Sequence, residues 1–242
     1  MNLMLGFIIL SILVGLRTTL PTTVVSDFRE GASSSAYLHR YDKILKINGN
    51  SVFTANDITF SMISDKDGVA DFTILRDGKK MQLPAIDFGM QVEEDGTRLI
   101  NLDFYVFSKQ KTFFDSVQYT FLWMFSIVRQ VWLSLANLLT GNFTMSELSG
   151  PVGVSTAIGQ ASSAGFTTLL MLIGFITVNI GVFNLLPVPA LDGGRLIFLL
   201  IELILRHPVN PKYEGYVHAA GFVALMGLML VVTFNDIIRL FL

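Results

Sequence analysis

Cysteine is absent from this 242-residue chain, and histidine occurs only at His39, His207 and His218. The lack of cysteine excludes disulfides and thiolate metal sites, so any metal ligand here must be histidine, aspartate or glutamate. No histidine belongs to a His-Glu-x-x-His pair, the helical arrangement that supplies two zinc ligands and a general base. A complete site of that kind is therefore not encoded in these residues.

Charge is scarce as well, since charged residues make up 15% of the chain and apolar residues 52%. This balance excludes an ordinary soluble domain and predicts a membrane protein. The net charge is -2, and the sequence has no run of lysine and arginine. Nothing in it indicates a nucleic-acid partner.

Long apolar runs predict membrane-spanning helices. Residues 166–186 carry no charge, which is enough length to cross roughly 30 Å of hydrocarbon as a helix. Residues 1–20 begin with an apolar run that ends at Arg17, and we expect a first span there. Residues 207–242 are expected to hold a polar cytoplasmic loop up to His218, followed by a last span.

Residues 113–140 form a fourth apolar segment, rich in aromatic residues and containing Trp123 and Trp132. Its length allows a membrane span. However, Trp, Tyr and Arg on one helix are also typical of an amphipathic helix lying in the membrane interface. We favour the interfacial helix and keep the span as the alternative.

Between these segments, residues 21–85 are more polar and show a pattern of short strands and turns. Asn48-Gly49 and Asp77-Gly78 are typical hairpin turns. Thr54 and Asp57 have the spacing of a helix capping box, with Asp in place of the usual Glu. We expect a small α+β domain here, followed by a hairpin and linker over residues 86–112.

The most informative stretch interrupts the span that we assign to residues 141–206. Pro187 and Pro189 each remove a backbone donor, so the helix must open there. Opened backbone at membrane depth survives only inside protein or beside a polar cavity, and an acid there is a functional candidate. Asp192 is that acid, followed by two glycines. The alternative is that Asp192 only caps the next helix, and the two roles are compatible.

The pattern Asn-x-x-Pro-x-Pro-x-Leu-Asp-Gly, which begins at Asn184, resembles the motif of the site-2 protease family of zinc intramembrane metalloproteases. The resemblance implies that Asp192 is the third ligand of a Zn²⁺ ion. It also implies that Asn184, with the chain opened by Pro187 and Pro189, binds an unwound substrate segment. Alternatively, the Asn184 amide bonds the carbonyls that the prolines leave free. The family's His-Glu-x-x-His helix is missing, so this chain supplies no catalytic residue.

The run Asp-x-Ile-Leu-x-Ile-Asn-Gly, which begins at Asp42, resembles a PDZ domain of the bacterial protease type. PDZ domains bind extended peptides by adding a strand to a sheet edge, which implies a substrate-docking unit. The alternative is a spacer that blocks the approach to the membrane site.

Together these features predict an α-helical membrane protein with an inserted α+β, PDZ-like domain, about three transmembrane helices and one interfacial helix. The resemblance implies a zinc metalloprotease of the plasma membrane that cleaves membrane-anchored proteins within their transmembrane segments. Because a single carboxylate does not hold zinc in water, we expect the chain to be inactive alone, as a fragment, as one of two partner chains, or as a pseudoprotease. The alternative function is a PDZ-bearing membrane binding protein without catalysis; a small transporter lacks the supporting repeat.

Charges in the short loops give an orientation for this arrangement. Arg206 and Lys212 lie between the last two predicted spans, close to Arg195. The excess of positive charge in short loops marks the cytoplasmic side. We therefore expect Asp192 near the cytoplasm and the PDZ-like domain outside.

Overall fold

The protein is described by a computed structural model that covers residues 1–63, 65, 67–92, 98–100, 102–139 and 150–241. It divides into two compact units, the strand-rich unit (residues 14–126) and the helical unit (residues 1–13 and 127–242). The helices are α1 (Asn2–Leu16), α2 (Ala55–Ile63), α3 (Phe113–Leu139), α4 (Pro151–Ser163), α5 (Phe166–Asn184), α6 (Asp192–Leu205) and α7 (Pro211–Phe241). The strands are β1 (Thr19–Phe28), β2 (Lys43–Ile47), β3 (Asn50–Ser51), β4 (Val69–Ala70), β5 (Phe72–Arg76), β6 (Lys79–Gln82), β7 (Ile86–Asp87), β8 (Met90–Val92), β9 (Arg98–Ile100) and β10 (Phe104–Gln110).

The strand-rich unit is built on one antiparallel sheet with the strand order β10-β1-β2-β5-β6, and β3 pairs with β2. Strand β1 pairs along its length with β10, from Thr19 opposite Gln110 to Phe28 opposite Phe104. The prediction of a linker over residues 86–112 is therefore wrong in its second half, because β10 is part of the sheet. Only its hairpin, β8 with β9, is confirmed; the predicted turn residues 93–96 lie outside the described residues.

Both predicted hairpin turns are confirmed. Asn48 and Gly49 have φ angles of 48° and 77° between β2 and β3, and Asp77 and Gly78 have 50° and 75° between β5 and β6. Two successive positive φ values are the mark of a type I′ turn, whose twist matches that of the strands it joins. Asparagine, aspartate and glycine adopt this conformation at little cost, which is why the sequence pattern was sufficient here.

The predicted capping box at the start of α2 is confirmed in one half. A carboxylate oxygen of Asp57 accepts the N–H of Thr54 at 2.8 Å and the N–H of Phe53 at 3.0 Å. The Thr54 hydroxyl donates to the same oxygen rather than accepting an N–H. Asp57 is fully buried, and its other oxygen accepts the hydroxyl of Ser126 on α3. The buried charge is thus surrounded by donors and fastens α2 to α3.

Packing between sheet and helix gives the strand-rich unit its core. Three aromatic side chains lie at its centre, with ring centroids 5.7 Å apart for Phe72 and Phe88 and 6.2 Å apart for Phe72 and Phe104. Aliphatic residues of β2, α2 and β5 surround them. Their inward side chains are Ile44, Ile47, Ile58, Met62 and Ile74.

In the helical unit, α1 and α5 pack closely through small residues. A Cβ added to Gly6 would lie 2.5 Å from a methyl of Val178, and one added to Gly174 would lie 3.0 Å from Ile9. Gly181 presents the same kind of contact to Leu3. Close approach at glycine is the usual way in which membrane helices pack, since no hydrophobic effect drives them together in lipid.

One boundary of the predicted segments needs correction, and one helix was not predicted. Helix α1 ends at Leu16 rather than residue 20, because Arg17 and two threonines follow and β1 begins at Thr19. Helix α4 was not predicted within residues 141–206, because its glycine, serine and threonine content gives little helical signal. Residues 140–149 lie outside the described part of the chain.

The predicted loop up to His218 is also wrong, because α7 already begins at Pro211. Proline is favoured at the first position of a helix, where its missing N–H costs nothing. The Asn210 side chain accepts the N–H of Lys212 at 3.0 Å and so caps this helix start. Pro211 is therefore the first residue of a helix and not part of a loop.

Two of the described helices are long and apolar enough to cross a membrane: α5, and the Pro211–Ile238 part of α7. Helix α1 is apolar but has only 15 residues, fewer than a perpendicular span requires. The chain is therefore mostly helical with an inserted β-rich unit, as predicted, and the number of three spans stays a prediction.

Candidate functional site

The candidate site is the interruption between α5 and α6. Helix α5 ends at Asn184 and α6 begins at Asp192; we call residues 185–191 between them the break segment. Pro187 and Pro189 fall inside it and provide no backbone donors. The opening of the helix at the two prolines is confirmed.

The break segment turns sharply at Ala190, whose φ is +76°. A non-glycine residue in this left-handed region carries a strain of roughly 1–2 kcal/mol. The turn is closed by the N–H of Leu191, which donates to the Val188 carbonyl at 3.2 Å. The N–H of Ala190 donates to Nδ1 of His218 on α7 at 2.9 Å. A side chain from a distant helix thus satisfies the donor of the strained residue.

Two glycines at the start of α6 let the break segment lie directly against this helix. Gly193 and Gly194 are both buried. A Cβ on Gly193 would overlap the carbonyl oxygen of Leu186, and one on Gly194 would overlap that of Val188. The contacts are with backbone atoms, which have no room to move aside. The glycine pair after Asp192 therefore serves close packing.

Asp192 is the first residue of α6, and its side chain is exposed on this chain. The helix is capped by Leu191, whose carbonyl accepts the N–H of Gly194 at 3.1 Å. Within the described residues the Asp192 carboxylate makes no hydrogen bond. The alternative role as a helix cap is therefore not seen. The carboxylate lies at the positive end of the helix dipole with its oxygens available to a ligand.

The other predicted site residues lie along the same interruption. Asn184 is the last residue of α5 and is partly buried. Its amide has no hydrogen-bond partner in the described parts of the chain, so the alternative in which it bonds freed carbonyls is not seen either. Pro187 is exposed, whereas Pro189 packs against Gly221 of α7.

The donor set available to a metal is incomplete within this chain. Among the residues that the structure describes, no three His, Asp or Glu side chains come together. His39 and His207 are exposed, as expected for His207, and His218 is engaged with Ala190. Asp192 can serve as one carboxylate ligand. A four-coordinate zinc site needs more donors than these residues provide.

Sequence reasoning missed two contacts that α7 makes in the helical unit. It placed His218 at the end of a polar loop, whereas His218 and Gly221 contact the break segment. It also left Asp236 without a role, although this buried acid accepts N–H groups at the start of α4. The available signals were an acid and a histidine in an otherwise apolar helix; their partners lie far away in sequence.

The model of peptidase family M50 matches residues 1–228 of the chain. The zinc metalloprotease RasP of Geobacillus kaustophilus is 35% identical over 237 residues, which cover 98% of this chain and 55% of that protein. The regulator of sigma-W protease RasP of Bacillus subtilis is 33% identical over 245 residues, covering 100% of this chain and 57% of that protein. The chain spans a little over half the length of these curated relatives.

Two solved PDZ domains are similar to part of the chain. The PDZ domain of the SdrC-like protein from Listeria monocytogenes covers 38% of this chain and 93% of that domain, with 18% identity and a TM-score of 0.28. The PDZ domain of the SdrC-like protein from Listeria innocua covers 38% of this chain and 97% of that domain, with 18% identity and a TM-score of 0.27.

Proposed function

The chain belongs to peptidase family M50, the site-2 protease family, and from this we propose that it is the Asp192-bearing part of a membrane-embedded zinc metalloprotease. The observation that carries the proposal is the state of Asp192: an exposed carboxylate without a hydrogen bond to any described residue, at a helix start that two prolines hold open. Its substrates are the transmembrane segments of membrane-anchored proteins.

In this proposal Asp192 supplies one ligand of Zn²⁺, and a His-Glu-x-x-His helix from outside these residues supplies two histidine ligands and a glutamate base. Bound zinc polarises the scissile carbonyl and activates water. The chain's own contribution is to hold the carboxylate at the start of α6 and to receive the substrate. Asn184 has a side-chain amide without a partner in the described residues, and an unwound substrate segment has free backbone groups that such an amide can bond.

The test is zinc binding and cleavage by a protein that joins this chain to a helix carrying His-Glu-x-x-His. We expect Asp192→Ala to lower zinc content and abolish cleavage of a membrane-anchored reporter. Asp71→Ala, which removes an exposed acid from the strand-rich unit, is the matched control and should leave both unchanged. Full zinc binding and cleavage by D192A would refute the metal role. Zinc binding without cleavage by the parent protein would favour the binding-protein alternative.

We also propose that the strand-rich unit docks substrate tails in the manner of a PDZ domain. Strand β10 lies at one edge of the sheet and β6 at the other, and an extended peptide can add to such an edge. A photo-crosslinking residue at Tyr105 on β10, whose side chain is exposed, reports on the first edge. The same residue at the exposed Met81 on β6 is the control for the second. Capture of a substrate tail at Met81 alone would contradict docking along β10.

Finally, we propose that the break segment lies near the cytoplasmic face of the plasma membrane and the strand-rich unit outside. The support is the positive charge of Arg195, Arg206 and Lys212 around the ends of α6 and α7. Because the chain has no cysteine, single cysteines report on sidedness without background. A membrane-impermeant thiol reagent should label Ser35→Cys in intact cells and Asn210→Cys only after permeabilisation. The reverse result would invert the topology.

A further inference from the structure

Helix α7 contacts the break segment through two residues one helical turn apart. His218 accepts the N–H of Ala190 at 2.9 Å through Nδ1. Gly221 lies in close contact with Pro189. A Cβ added to Gly221 would lie 2.5 Å from the Cβ of Pro189 and 2.6 Å from its carbonyl oxygen. Residues three apart share one face of a helix, so α7 holds two successive residues of the break segment with a single face.

The imidazole of His218 is itself held in one orientation. Its ring lies 5.7 Å from the ring of Phe198 on α6, centroid to centroid. Because Nδ1 accepts a hydrogen bond, the neutral ring carries its proton on Nε2. Nε2 lies 3.9 Å from a carboxylate oxygen of Glu214, one turn earlier on α7, which is too far for a hydrogen bond, and it has no hydrogen-bond partner among the described residues. The side chain is therefore packed and directed as an acceptor towards Ala190.

A movement of the break segment would be transmitted to Asp192 through Ala190. This alanine has a left-handed φ of +76°, a conformation that an alanine keeps only where surrounding contacts impose it. Leu191 follows it, and the Leu191 carbonyl accepts the N–H groups of Gly194 and Arg195, forming the first turn of α6. If Ala190 relaxes, the start of this turn and the Asp192 side chain move with it.

We propose that His218 is a positioning residue for Asp192: it fixes the strained Ala190 turn by accepting its N–H, and thereby sets the direction of the carboxylate two residues later. The inference rests on the proposed role of Asp192 as a zinc ligand. Its structural part, the hydrogen bond that maintains the Ala190 turn, is testable without zinc.

The experiment compares His218→Asn with His218→Leu in the protein that joins this chain to the zinc-binding helix. The Asn side chain places an oxygen acceptor where Nδ1 lies, and Leu has nearly the same shape without an acceptor. His207→Leu is the matched control, because His207 is exposed and, among the described residues, its only polar contact is the adjacent Pro208 carbonyl at 3.4 Å. The first readout is hydrogen exchange of the Ala190 amide without zinc, and the second is the zinc dissociation constant.

We expect H218L to speed exchange at Ala190 by about 10-fold and to weaken zinc binding by about 10-fold, the lower end of the range for residues that orient a ligand. H218N and H207L should stay within about threefold of the parent protein in both readouts. If H218L does not fold, His218→Phe, which keeps a ring without an acceptor, takes its place.

Three results would overturn the proposal. One is unchanged exchange at Ala190 in H218L. Another is equal impairment of H218N and H218L, which would show that bulk rather than the acceptor matters. The third is faster exchange in H218L with zinc binding unchanged while D192A loses zinc, which would remove the positioning role and leave the proposed ligand intact. Unchanged zinc binding in D192A would instead refute the proposed function, whatever the exchange shows.

Discussion

Asp236, near the end of α7, accepts the backbone N–H of Gly150 at 2.8 Å, and the same oxygen accepts the N–H of Gly153 at 2.9 Å. Asp236 is 6% exposed, so the acid satisfies N–H groups at the start of α4 that would otherwise be unpaired. Gly150 is required by the contact, because a Cβ there would lie 2.9 Å from both the Asp236 oxygen and a methyl of Val232. The charge in an apolar helix is thus explained by a helix cap.

Gly150→Ala should therefore destabilise the helical unit by about 1–3 kcal/mol, the usual cost of forcing an extra methyl into a packed contact. The measurement is equilibrium unfolding in detergent. Gly159→Ala, in the same helix α4, is the control, since no atom of the described residues lies within 4 Å of the added Cβ. There the change should be neutral or stabilising, because alanine is the better helix former. Equal effects of the two substitutions would show that the Asp236 contact does not constrain α4.

Gly221→Ala should displace the break segment. The added Cβ would meet the backbone of Pro189 at 2.6 Å, and backbone cannot rotate away as a flexible side chain can. We expect a loss of about 1–3 kcal/mol in unfolding free energy, together with faster hydrogen exchange at Ala190. Gly227→Ala is the matched control on α7, with nothing within 4 Å of its Cβ. Slow exchange at Ala190 in G221A would mean that the break segment does not depend on the close contact between Gly221 and Pro189.

The sequence predicted those parts of the fold that are determined by residues close together in the chain. Asn48-Gly49 and Asp77-Gly78 formed the turns they predict, because the φ angles they require are a property of those residues. The pairing of β1 with β10 was not predicted. Thr19 and Gln110 are paired in the sheet but lie far apart in the sequence, and neither residue indicates the other as its partner.

At the candidate site, too, the features that depend on local sequence were predicted and the contacts between distant residues were not. The helix break at the prolines and the importance of Asp192 could be predicted, because a proline stops a helix and an acid in an apolar run is exceptional. His218 was not readable as a partner of Ala190, because the contact depends on how α7 packs, 28 residues along the chain. The left-handed φ of Ala190 was equally hidden, since alanine gives no signal for that conformation.

Arg76→Leu should destabilise the strand-rich unit strongly. Asp42 is 1% exposed, and Arg76 donates to its two oxygens at 2.8 Å and 2.7 Å. Removing the guanidinium leaves a buried carboxylate without its counter-charge, which costs about 3 kcal/mol or more. Urea unfolding measures the loss.

Two comparisons separate the ion pair from general effects of losing an arginine. Arg40→Leu removes an exposed arginine whose guanidinium lies over the rings of Tyr41 and Phe107, and it should cost about 1 kcal/mol, the size of such contacts at exposed sites. The double substitution D42L/R76L should recover most of the stability, because an apolar pair of similar volume replaces the ions. A double variant as unstable as R76L alone would assign the loss to packing instead.

Stability at acid pH should depend on Asp115, at the start of α3. Thr112 accepts the Asp115 N–H at 3.2 Å through its hydroxyl, which is one half of a capping box, and donates that hydroxyl to the Asp115 carboxylate at 2.8 Å. The ammonium of Lys109, which donates to the carboxylate, and then the Thr112 hydroxyl hold the pKa of Asp115 below its usual 3.8. A lowered pKa in the folded state stabilises the fold above 3.8, and this contribution is lost as the pH falls through the lowered pKa.

The measurement is the unfolding midpoint from about pH 6 to about pH 2 for the parent chain and for Asp115→Asn. The asparagine keeps an acceptor but does not titrate. The difference between the two proteins should be constant above the usual pKa of the group, 3.8, and shrink below it. A difference that does not change with pH would show that ionisation of Asp115 is not linked to the stability of α3.

Helix α3 should lie in the membrane interface rather than cross the bilayer. One face of the helix carries four of its exposed aromatic residues: Phe114, Phe121, Phe125 and Trp132. The opposite face holds the buried Tyr119, Trp123 and Ile127. Phe114 and Trp132 are separated by about 27 Å along a helix axis, so the two orientations place these residues very differently in depth. Tryptophan fluorescence quenched by lipids brominated at known depths measures this.

In a Trp123→Phe background, Trp132 is the only tryptophan, since the chain has two. Moving this probe with W132F combined with F114W or F125W samples the start and the middle of the exposed stripe. An interfacial helix gives one shallow depth at all three positions, because its apolar face lies about 5–10 Å into the boundary of headgroups and chains. A spanning helix gives shallow values at positions 114 and 132 and a deep value at position 125. The middle position therefore decides between the two orientations, and a deep Trp there would make α3 a transmembrane helix.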